Sequence, residues 1–311
     1  MRNFGEYMHT TRLRRSILSV PANRERMVYK AMHLSADEIM LDLEDSVPVQ
    51  DKESARRAAI ACLQEADFGS RVRACRINDM GTPFAYRDII DIVEQAGDGL
   101  DILVVPKVAD PSEVTAIDLI LSQIEAAWDL PRRIGIEACI ETAQGLSRAE
   151  DIAASSNRVE ALVFGVADFT ASLGAPPIGV SGHGEGESGQ GRWYSVLCRL
   201  AVAARANGLQ VIDAPYGDHS DPQGLEASCR ISADLGFDGK WAIHPGQIET
   251  INTLFSPSLE QVEQARQVVA AYEQVATGHS GSLALEGKMI DAASVRLARS
   301  VVDKWEQMYK E

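Results

Sequence analysis

The chain has 311 residues, of which 45% are hydrophobic, and a formal net charge of −15. This composition supports a full hydrophobic core and excludes a disordered protein. The acidic balance argues against nonspecific binding to nucleic acid or to anionic membranes, although a local basic cluster could still bind a small anion.

The amino-terminal ten residues lack the apolar core of a secretory signal. No apolar run approaches the roughly 20 residues that a membrane-spanning helix needs. The cysteines form no CxxC or other metal-ligand spacing, which favours a reducing compartment; they are Cys62, Cys75, Cys139, Cys198 and Cys229. We therefore expect a cytoplasmic protein with neither a membrane partner nor a nucleic-acid partner.

Short apolar runs alternate with longer amphipathic segments. The predicted strands are Ser16–Val20, Glu38–Leu43, Val72–Ile77, Ile102–Pro106, Ile134–Glu141, Ala161–Val166, Gln210–Asp213 and Lys240–Ile243. The predicted helical stretches between them are Arg24–His33, Lys52–Glu65, Pro83–Gln95, Pro111–Ala127, Gly145–Ser155, Arg192–Asn207 and Pro222–Leu235. Strands separated by helix-length segments favour βαβ units and a parallel sheet, and eight such units predict an α/β protein with a closed (β/α)8 TIM barrel.

A doubly wound open sheet is the alternative fold. Against it, the first strand continues into Pro21-Ala-Asn-Arg24 with no glycine-rich turn. A GxGxxG string does occur from Gly184 to Gly189, but Glu185 and Glu187 would repel a pyrophosphate. We interpret the surrounding segment, 174–191, as a loop over the barrel mouth, with an inert surface insertion as the open alternative.

Two further amphipathic segments, Ser258–Thr277 and Leu285–Tyr309, follow the eighth strand. We predict a catalytic barrel domain over residues 12–255 and a C-terminal helical extension over residues 256–311. This extension could fold over its own barrel or over that of a neighbouring subunit.

Two carboxylates, Glu141 and Asp168, follow the apolar runs of strands five and six. In this fold the active site lies at the carboxyl ends of the strands. Two carboxylates there can hold one hard divalent cation and leave positions for substrate. The alternative is that Arg76 and Lys107 neutralise them without a metal, because buried charges must be paired.

Further charges fall at neighbouring strand ends. Strand two ends with Asp42, Glu44 and Asp45, which could be metal ligands or, as we favour, anchors for water and arginine. Arg76 ends strand three and could stabilise an enolate or thioester oxygen, or simply pair with Glu44. A Schiff base on Lys107 is less favoured, because the acids would keep its amine protonated.

The strand-end strings resemble one known family. The strings are Arg14-Arg-Ser-Ile-Leu-Ser-Val-Pro-Ala-Asn-Arg24, Leu41-Asp-Leu-Glu-Asp-Ser-Val47, Glu141-Thr142, Gly165-Val-Ala-Asp-Phe169, Ile212-Asp-Ala-Pro-Tyr-Gly-Asp218 and Trp241-Ala-Ile-His-Pro-Gly-Gln-Ile248. Together they look like the citrate lyase β-subunit-like (HpcH/HpaI aldolase) family, and within it like the malyl-CoA, β-methylmalyl-CoA and citramalyl-CoA lyases. The resemblance runs from about Arg12 to the C-terminal helix. It implies a (β/α)8 barrel whose C-terminal helical lid lies between the subunits of a homotrimer or hexamer.

The resemblance also implies roles for particular residues. Glu141 and Asp168 would bind Mg²⁺, with Mn²⁺ as a possible substitute, and Arg76 would bind substrate. Asp291, in the string Gly287-Lys-Met-Ile-Asp291, would be an acid–base residue contributed to the neighbour's site. Glu44 and Asp45 would support catalysis beside them.

Coenzyme A would lie along the first βα segment. Its basic contacts would be Arg15, Arg24 and Lys30, and Pro245 after strand eight would border the same site. The substrates implied are therefore a small-molecule acyl-CoA and an α-keto acid.

The implied reaction is reversible Claisen-type cleavage of a 3-hydroxyacyl-CoA into glyoxylate or pyruvate and acetyl-CoA or propionyl-CoA. Three alternatives stay open: a malyl-CoA thioesterase on the same scaffold, a citrate lyase β-like subunit acting on a carrier-bound acyl group, and cleavage of a hydroxy-keto acid without coenzyme A.

Overall fold

The computed structural model describes residues 12–176, 191–276, 282–285 and 288–309. Its first eight strands are β1 Ser16–Pro21, β2 Glu38–Asp42, β3 Val72–Arg76, β4 Ile102–Val105, β5 Gly135–Ile140, β6 Val159–Phe164, β7 Gln210–Asp213 and β8 Gly239–Ala242. They are mutually parallel, and β8 pairs with β1 to close a barrel. The predicted TIM barrel is therefore confirmed.

Helices alternate with the strands. They are α1 Glu25–Ala31, α2 Lys52–Glu65, α3 Ala85–Ala96, α4 Pro111–Ala127, α5 Ala143–Ser147, α6 Ala149–Ala153, α7 Val166–Ser172, α8 Tyr194–Ala206, α9 Pro222–Asp234 and α10 Ile248–Leu254. Short 3₁₀ turns occur at Val49–Asp51, Gly97–Gly99 and Pro245–Gln247.

Alternate strand residues face inward and fill the barrel. This interior cluster is almost entirely apolar; it comprises Ile17, Met40, Val72, Ala74, Ile102, Val104, Cys139, Ala161, Val163, Ile212 and Trp241. The filled interior leaves the strand ends as the places where polar groups can gather.

A charged network closes the barrel at the end where the strands begin. Arg14 is fully buried and contacts Glu38 at 3.2 Å, Glu137 at 2.9 Å and Glu160 at 2.6 Å. It also donates to the side chain of Gln210 at 2.5 Å. One guanidinium thus links strands from across the barrel floor.

One predicted helical segment is divided in two in the structure. The stretch Gly145–Ser155 was expected to be one helical segment, but α5 and α6 are separate five-residue helices. The break falls at Arg148, whose backbone angles of φ −121° and ψ 17° are not those of a continuing helix. Its guanidinium instead pairs with Asp110.

Residues from Leu254 onward form a second compact unit, while those up to Thr253 form the first. The second unit contains helix α11 Leu259–Ala276, an antiparallel hairpin of β9 Ser282–Leu285 and β10 Lys288–Asp291, and helix α12 Ala292–Met308. The predicted amphipathic segment Leu285–Tyr309 is thus strand at its beginning and helix only from Ala292.

No helix among the described residues is long and apolar enough to cross a membrane. Most of the glycine-rich loop predicted at 174–191 lies outside the described residues.

Candidate active site

The ends of β2 and β3 supply the first ion pair of the site. Asp42 and Arg76 are register partners in the sheet, and the carboxylate accepts from Arg76 Nε at 2.6 Å and Nη2 at 2.8 Å. Backbone N–H groups of Glu44 and Ser46 also donate to Asp42, at 2.9 and 3.2 Å. Burial alone would raise the pKa of Asp42, but Arg76, the Ser46 hydroxyl and the Glu44 N–H lower it.

Arg76 is a permanent cation inside the barrel mouth. Burial opposes its charge, yet Asp42 and then Glu44 raise its pKa above the ordinary arginine value. Its Nη1 lies 2.9 Å from Glu44 Oε2. Its guanidinium carbon lies 5.4 Å from the centre of the Trp241 ring, in a cation–π contact. Because a guanidinium carries five N–H groups, donors remain for a substrate oxygen.

Lys107 connects three of the predicted acids. Its Nζ donates to Glu44 and lies 3.4 Å from Asp45 and 3.6 Å from Asp168. Burial lowers the pKa of this amine, but the hydrogen bond to Glu44 and the charges of all three acids raise it overall. A protonated amine cannot attack a carbonyl, so the geometry disfavours a Schiff base on Lys107.

The backbone of Lys107 orients Glu141. Lys107 has φ of 51°, in the left-handed region that residues with a side chain rarely occupy. In this conformation its N–H donates to Glu141 Oε1 at 2.7 Å. Such strain persists only where surrounding contacts hold it, and here the ion pairs of the Lys107 side chain do so.

Glu141 directly follows β5 and is almost fully buried. Burial, reinforced by the nearby Asp168 and Glu44, raises its pKa to about 7 even though Arg76 and the Lys107 N–H act in the opposite direction. A Cβ on Gly165 would lie 2.1 Å from Glu141 Oε2 and 2.4 Å from its Cβ. Gly165 has an ordinary φ of −113°, so the glycine is required for space and not for conformation.

Asp168 was predicted at the end of strand six, but it lies in the helix that follows. Strand β6 ends at Phe164, and Asp168 occupies the first turn of α7. An acidic residue there is stabilised by the helix dipole. Its carboxylate is 37% exposed and faces the Lys107 amine, so it is open to solvent where Glu141 is not.

The residues present fit a hard divalent cation. Glu141 and Asp168 follow adjacent strands, and both offer carboxylate oxygens, which Mg²⁺ prefers. The surrounding charge is strongly negative, with two cations, Arg76 and Lys107, against Asp42, Glu44, Asp45, Glu141 and Asp168. Within the described ranges, no three His, Cys, Asp or Glu side chains are grouped as metal ligands. With Glu141 and Asp168 as protein ligands, a bound Mg²⁺ would keep its other positions for water and substrate, as is common for this ion.

Of the basic residues predicted to contact coenzyme A, Arg15 lies at the wrong end of the barrel. It precedes β1, and its backbone N–H, Nε and Nη2 all contact the Asp37 carboxylate, at 2.7, 2.8 and 2.8 Å. The side chain is therefore paired with Asp37 at the end where the strands begin, on the opposite side of the barrel from the mouth.

Arg24 and Lys30 are placed differently. Arg24 precedes α1 at the mouth end of β1, and Lys30 lies in the last turn of that helix. Both are exposed, and neither forms an ion pair with any described residue. Lys30 also lines a groove of about 1030 Å³ between α1 and α2, together with Tyr29 and His33.

Pro245 lies at the mouth end of β8, in the 3₁₀ turn Pro245–Gln247. The buried Gln247 side chain fixes this turn, because it accepts from the backbone of Ile243 and His244 and donates to Tyr216 O. The structure thus places Pro245 on a well-anchored rim.

Asp291 belongs to the second unit. Its exposed carboxylate caps α12 by accepting from the N–H groups of Ala293 and Ser294, at 3.0 and 2.9 Å. These hydrogen bonds lower its pKa. The role of Asp291 in a neighbour's site stays a prediction.

Sequence reasoning missed several residues that shape the site. Trp241 was recognised only as part of a motif, although its ring lies beside Arg76. Gly165 was not singled out, although a glycine directly after a buried strand is a signal of close packing. Lys52, which contacts the backbone beside Asp42, has no sequence signal that separates it from a surface lysine.

Comparison with known proteins agrees with this geometry. Residues 15–245 match the HpcH/HpaI aldolase/citrate lyase family. The chain is 38% identical over 296 residues to an L-malyl-CoA/β-methylmalyl-CoA lyase of Cereibacter sphaeroides, covering 93% of each chain. It is also 35% identical over 294 residues to a (3S)-malyl-CoA thioesterase of the same species, covering 94% of each.

Among solved structures, the CitE protein of Mycobacterium tuberculosis in complex with magnesium, acetoacetate and coenzyme A is similar. The TM-score is 0.72 and the identity 28%, with 93% of this chain and 97% of that chain covered. The family match spans most of the chain and includes every barrel strand from β1 to β8. This chain therefore belongs to the HpcH/HpaI aldolase/citrate lyase family.

Proposed function

We propose that the protein is a Mg²⁺-dependent carbon–carbon lyase. It would cleave malyl-CoA, β-methylmalyl-CoA or citramalyl-CoA into glyoxylate or pyruvate and acetyl-CoA or propionyl-CoA. The observation that carries the proposal is that Glu141 and Asp168 follow adjacent strands, in the loop after β5 and the first turn of α7, beside the fixed cation Arg76. The 38% identity with an L-malyl-CoA/β-methylmalyl-CoA lyase supports the substrate class.

Glu141 and Asp168 would hold the metal. When bound, Mg²⁺ would act as a Lewis acid on the carboxylate and hydroxyl oxygens of the substrate. The Lys107 N–H keeps Glu141 oriented. The paired Asp42 and Glu44 keep Arg76 in place before substrate arrives.

Arg76 would stabilise the charge that develops during C–C cleavage. Scission leaves an acyl-CoA enolate, and the remaining N–H groups of Arg76 can donate to its oxygen. Because Asp42 and Glu44 already fix the guanidinium, little reorganisation is needed. As the C–C bond breaks, the substrate hydroxyl becomes the keto oxygen and releases its proton to water. Asp291 of a partner subunit would deliver a proton to the enolate carbon, or remove that proton in the condensation direction.

Arg24 and Lys30 would bind the phosphates of coenzyme A, with Pro245 at the border of the same site. Support comes from their exposure and from the absence of ion-pair partners among the described residues. The aromatic-lined groove beside Lys30 has room for part of the nucleotide.

Residues 256–311 would form a lid between subunits of a homotrimer or hexamer, since the proposed role of Asp291 requires a second chain. All the other residues proposed to bind metal, substrate or coenzyme A lie in the barrel, residues 12–255.

A product assay tests the proposal. Purified protein is incubated with malyl-CoA and Mg²⁺ while glyoxylate is trapped as its phenylhydrazone and free thiol is measured in parallel. We expect glyoxylate without free thiol, and loss of the product on addition of EDTA. Free thiol without glyoxylate would instead identify a thioesterase, the activity named for the relative with 35% identity.

A further inference from the structure

The turn after β2 carries the two acids that hold Arg76. Within it, the Asp42 carboxylate accepts from the backbone N–H groups of Glu44 and Ser46. The N–H of Leu43 donates across to Arg76 O at 3.0 Å. The backbone of this turn therefore determines where the Asp42 and Glu44 carboxylates meet the guanidinium.

The carbonyl groups of the same turn bind one buried lysine. Lys52 Nζ donates to Leu43 O and to Glu44 O, both at 2.7 Å. Lys52 is only 7% exposed, so these carbonyls are satisfied in an environment with little water. Buried carbonyls left without donors would destabilise this turn.

The position of Lys52 is unfavourable for the helix that contains it. It is the first residue of α2, where the helix dipole disfavours a positive charge. Burying an ammonium adds a further cost. A lysine at a position that disfavours its charge is best explained by contacts outside its own helix. Those contacts are with the carbonyls of the turn after β2.

We propose that Lys52 is a positioning residue, which acts on the reaction through the β2–α2 turn by holding Asp42 and Glu44 in register with Arg76. The inference rests on the proposed function, in which Arg76 stabilises the enolate oxygen. Lys52 does not itself touch substrate. It fixes the backbone of the turn, the turn positions the Asp42 and Glu44 carboxylates, and these hold the guanidinium of Arg76.

The test replaces Lys52 with methionine, which keeps an unbranched side chain only one heavy atom shorter but removes the donors. Misplacement of Arg76 should lower kcat about 100-fold, while KM for the acyl-CoA and the Kd for Mg²⁺ change less than about threefold. The metal affinity should be retained because the Lys107 N–H holds Glu141 and Asp168 lies in the first turn of α7, so neither depends directly on the carbonyls that Lys52 holds. If Lys52→Met does not fold, Lys52→Gln keeps an N–H donor and should lower kcat by a smaller factor.

Arg158→Met is the matched control. Arg158 is also a buried cation on a backbone carbonyl, since it donates to Ile134 O at 3.0 Å and pairs with Asp118 and Glu125. It lies where β5 and β6 begin, at the opposite end of the barrel. This variant should lose stability and keep kcat. An unchanged kcat in the Lys52 variants, or an equal loss in Arg158→Met, would overturn the proposal.

Crystal structures of the same variants give a measurement that does not depend on activity. In Lys52→Met we expect the Arg76 contacts with Asp42, at 2.6 and 2.8 Å in the wild type, to be lengthened or lost. Unchanged contacts would overturn the positioning role. A wild-type protein without lyase activity would count against the proposed function, and the variant structures would still decide the role of Lys52.

Discussion

Arg76 is held on two sides by carboxylates and on a third by an aromatic ring. Asp42 accepts hydrogen bonds from Nε and Nη2, Glu44 pairs with Nη1, and Trp241 lies beside the guanidinium. Lysine has neither the planar fork nor the same reach, so it cannot reproduce this arrangement.

We therefore expect Arg76→Lys to lower kcat by about 10²–10³, the range found for loss of one donor to a developing oxyanion. Arg73→Lys is the control on the same strand, because Arg73 is paired in the same way with Asp101. Steady-state kinetics of both variants would decide. A comparable loss in both would mean that Arg76 acts through general stability and not through the reaction.

The elements of the barrel bring Glu141 close to the helix that carries Asp168, because the residue after β5 lies against the residue before α7. Gly165 connects β6 to that helix and lies directly against Glu141. The proposed metal site therefore depends on a position with no functional group of its own.

Gly165→Ala should displace the Glu141 side chain, since the new Cβ would fall 2.1 Å from Oε2. We expect Mg²⁺ affinity measured by calorimetry to fall at least about tenfold, with a loss of stability of about 1–3 kcal/mol from overpacking. Gly191→Ala is the control, because a Cβ there meets no atom of the described residues within 4 Å. Unchanged Mg²⁺ affinity in Gly165→Ala would exclude Glu141 as a ligand.

Sequence patterns predicted the elements of the barrel well. The run Ile102–Pro106 is short, apolar and flanked by Asp101 and Lys107, so the position of its strand could be predicted directly from the sequence. Helices α2 and α4 have the predicted bounds, Lys52–Glu65 and Pro111–Ala127. Ends of elements were harder to predict, since Asp168 lies in a helix that begins two residues after β6.

The remaining differences depend on contacts that are distant in sequence. Arg15 and Arg24 look equivalent as basic residues near β1, but they lie at opposite ends of that strand. The hairpin Ser282–Leu285 with Lys288–Asp291 was missed because short apolar segments do not distinguish strand from helix. Lys52 was missed because its burial depends on the path of the turn after β2.

On the scale of the whole molecule, the barrel has a different electrostatic character at each end. The mouth gathers the groups proposed to bind metal and substrate. The floor is closed by Arg14 with Glu38 and Glu137, all fully buried. Burial, followed by mutual repulsion of the two glutamates, raises the pKa of Glu38 well above 4.5.

This raised pKa makes a prediction about stability. The folded state holds the Glu38 proton more tightly than the unfolded state does. The stability that this proton contributes is therefore fully present below about pH 4.5 and is lost as pH rises through the pKa of the folded state. Glu38→Gln cannot titrate. Its unfolding free energy relative to wild type should therefore increase between about pH 5 and about pH 8, as measured by urea denaturation. A difference that is constant or decreases with pH would show that Glu38 is ionised in the folded protein.

The central claim is that Glu141 and Asp168 hold the divalent cation on which C–C cleavage depends. The most direct measurement is a Mg²⁺ titration of EDTA-treated protein, with glyoxylate formed from malyl-CoA as the signal. We predict that product formation rises with Mg²⁺ and saturates in the wild type, and that Asp168→Asn needs a much higher concentration or shows no activity. Arg158→Met should follow the wild-type curve. Glyoxylate formation without Mg²⁺, or an Asp168→Asn curve identical to that of the wild type, would contradict the claim.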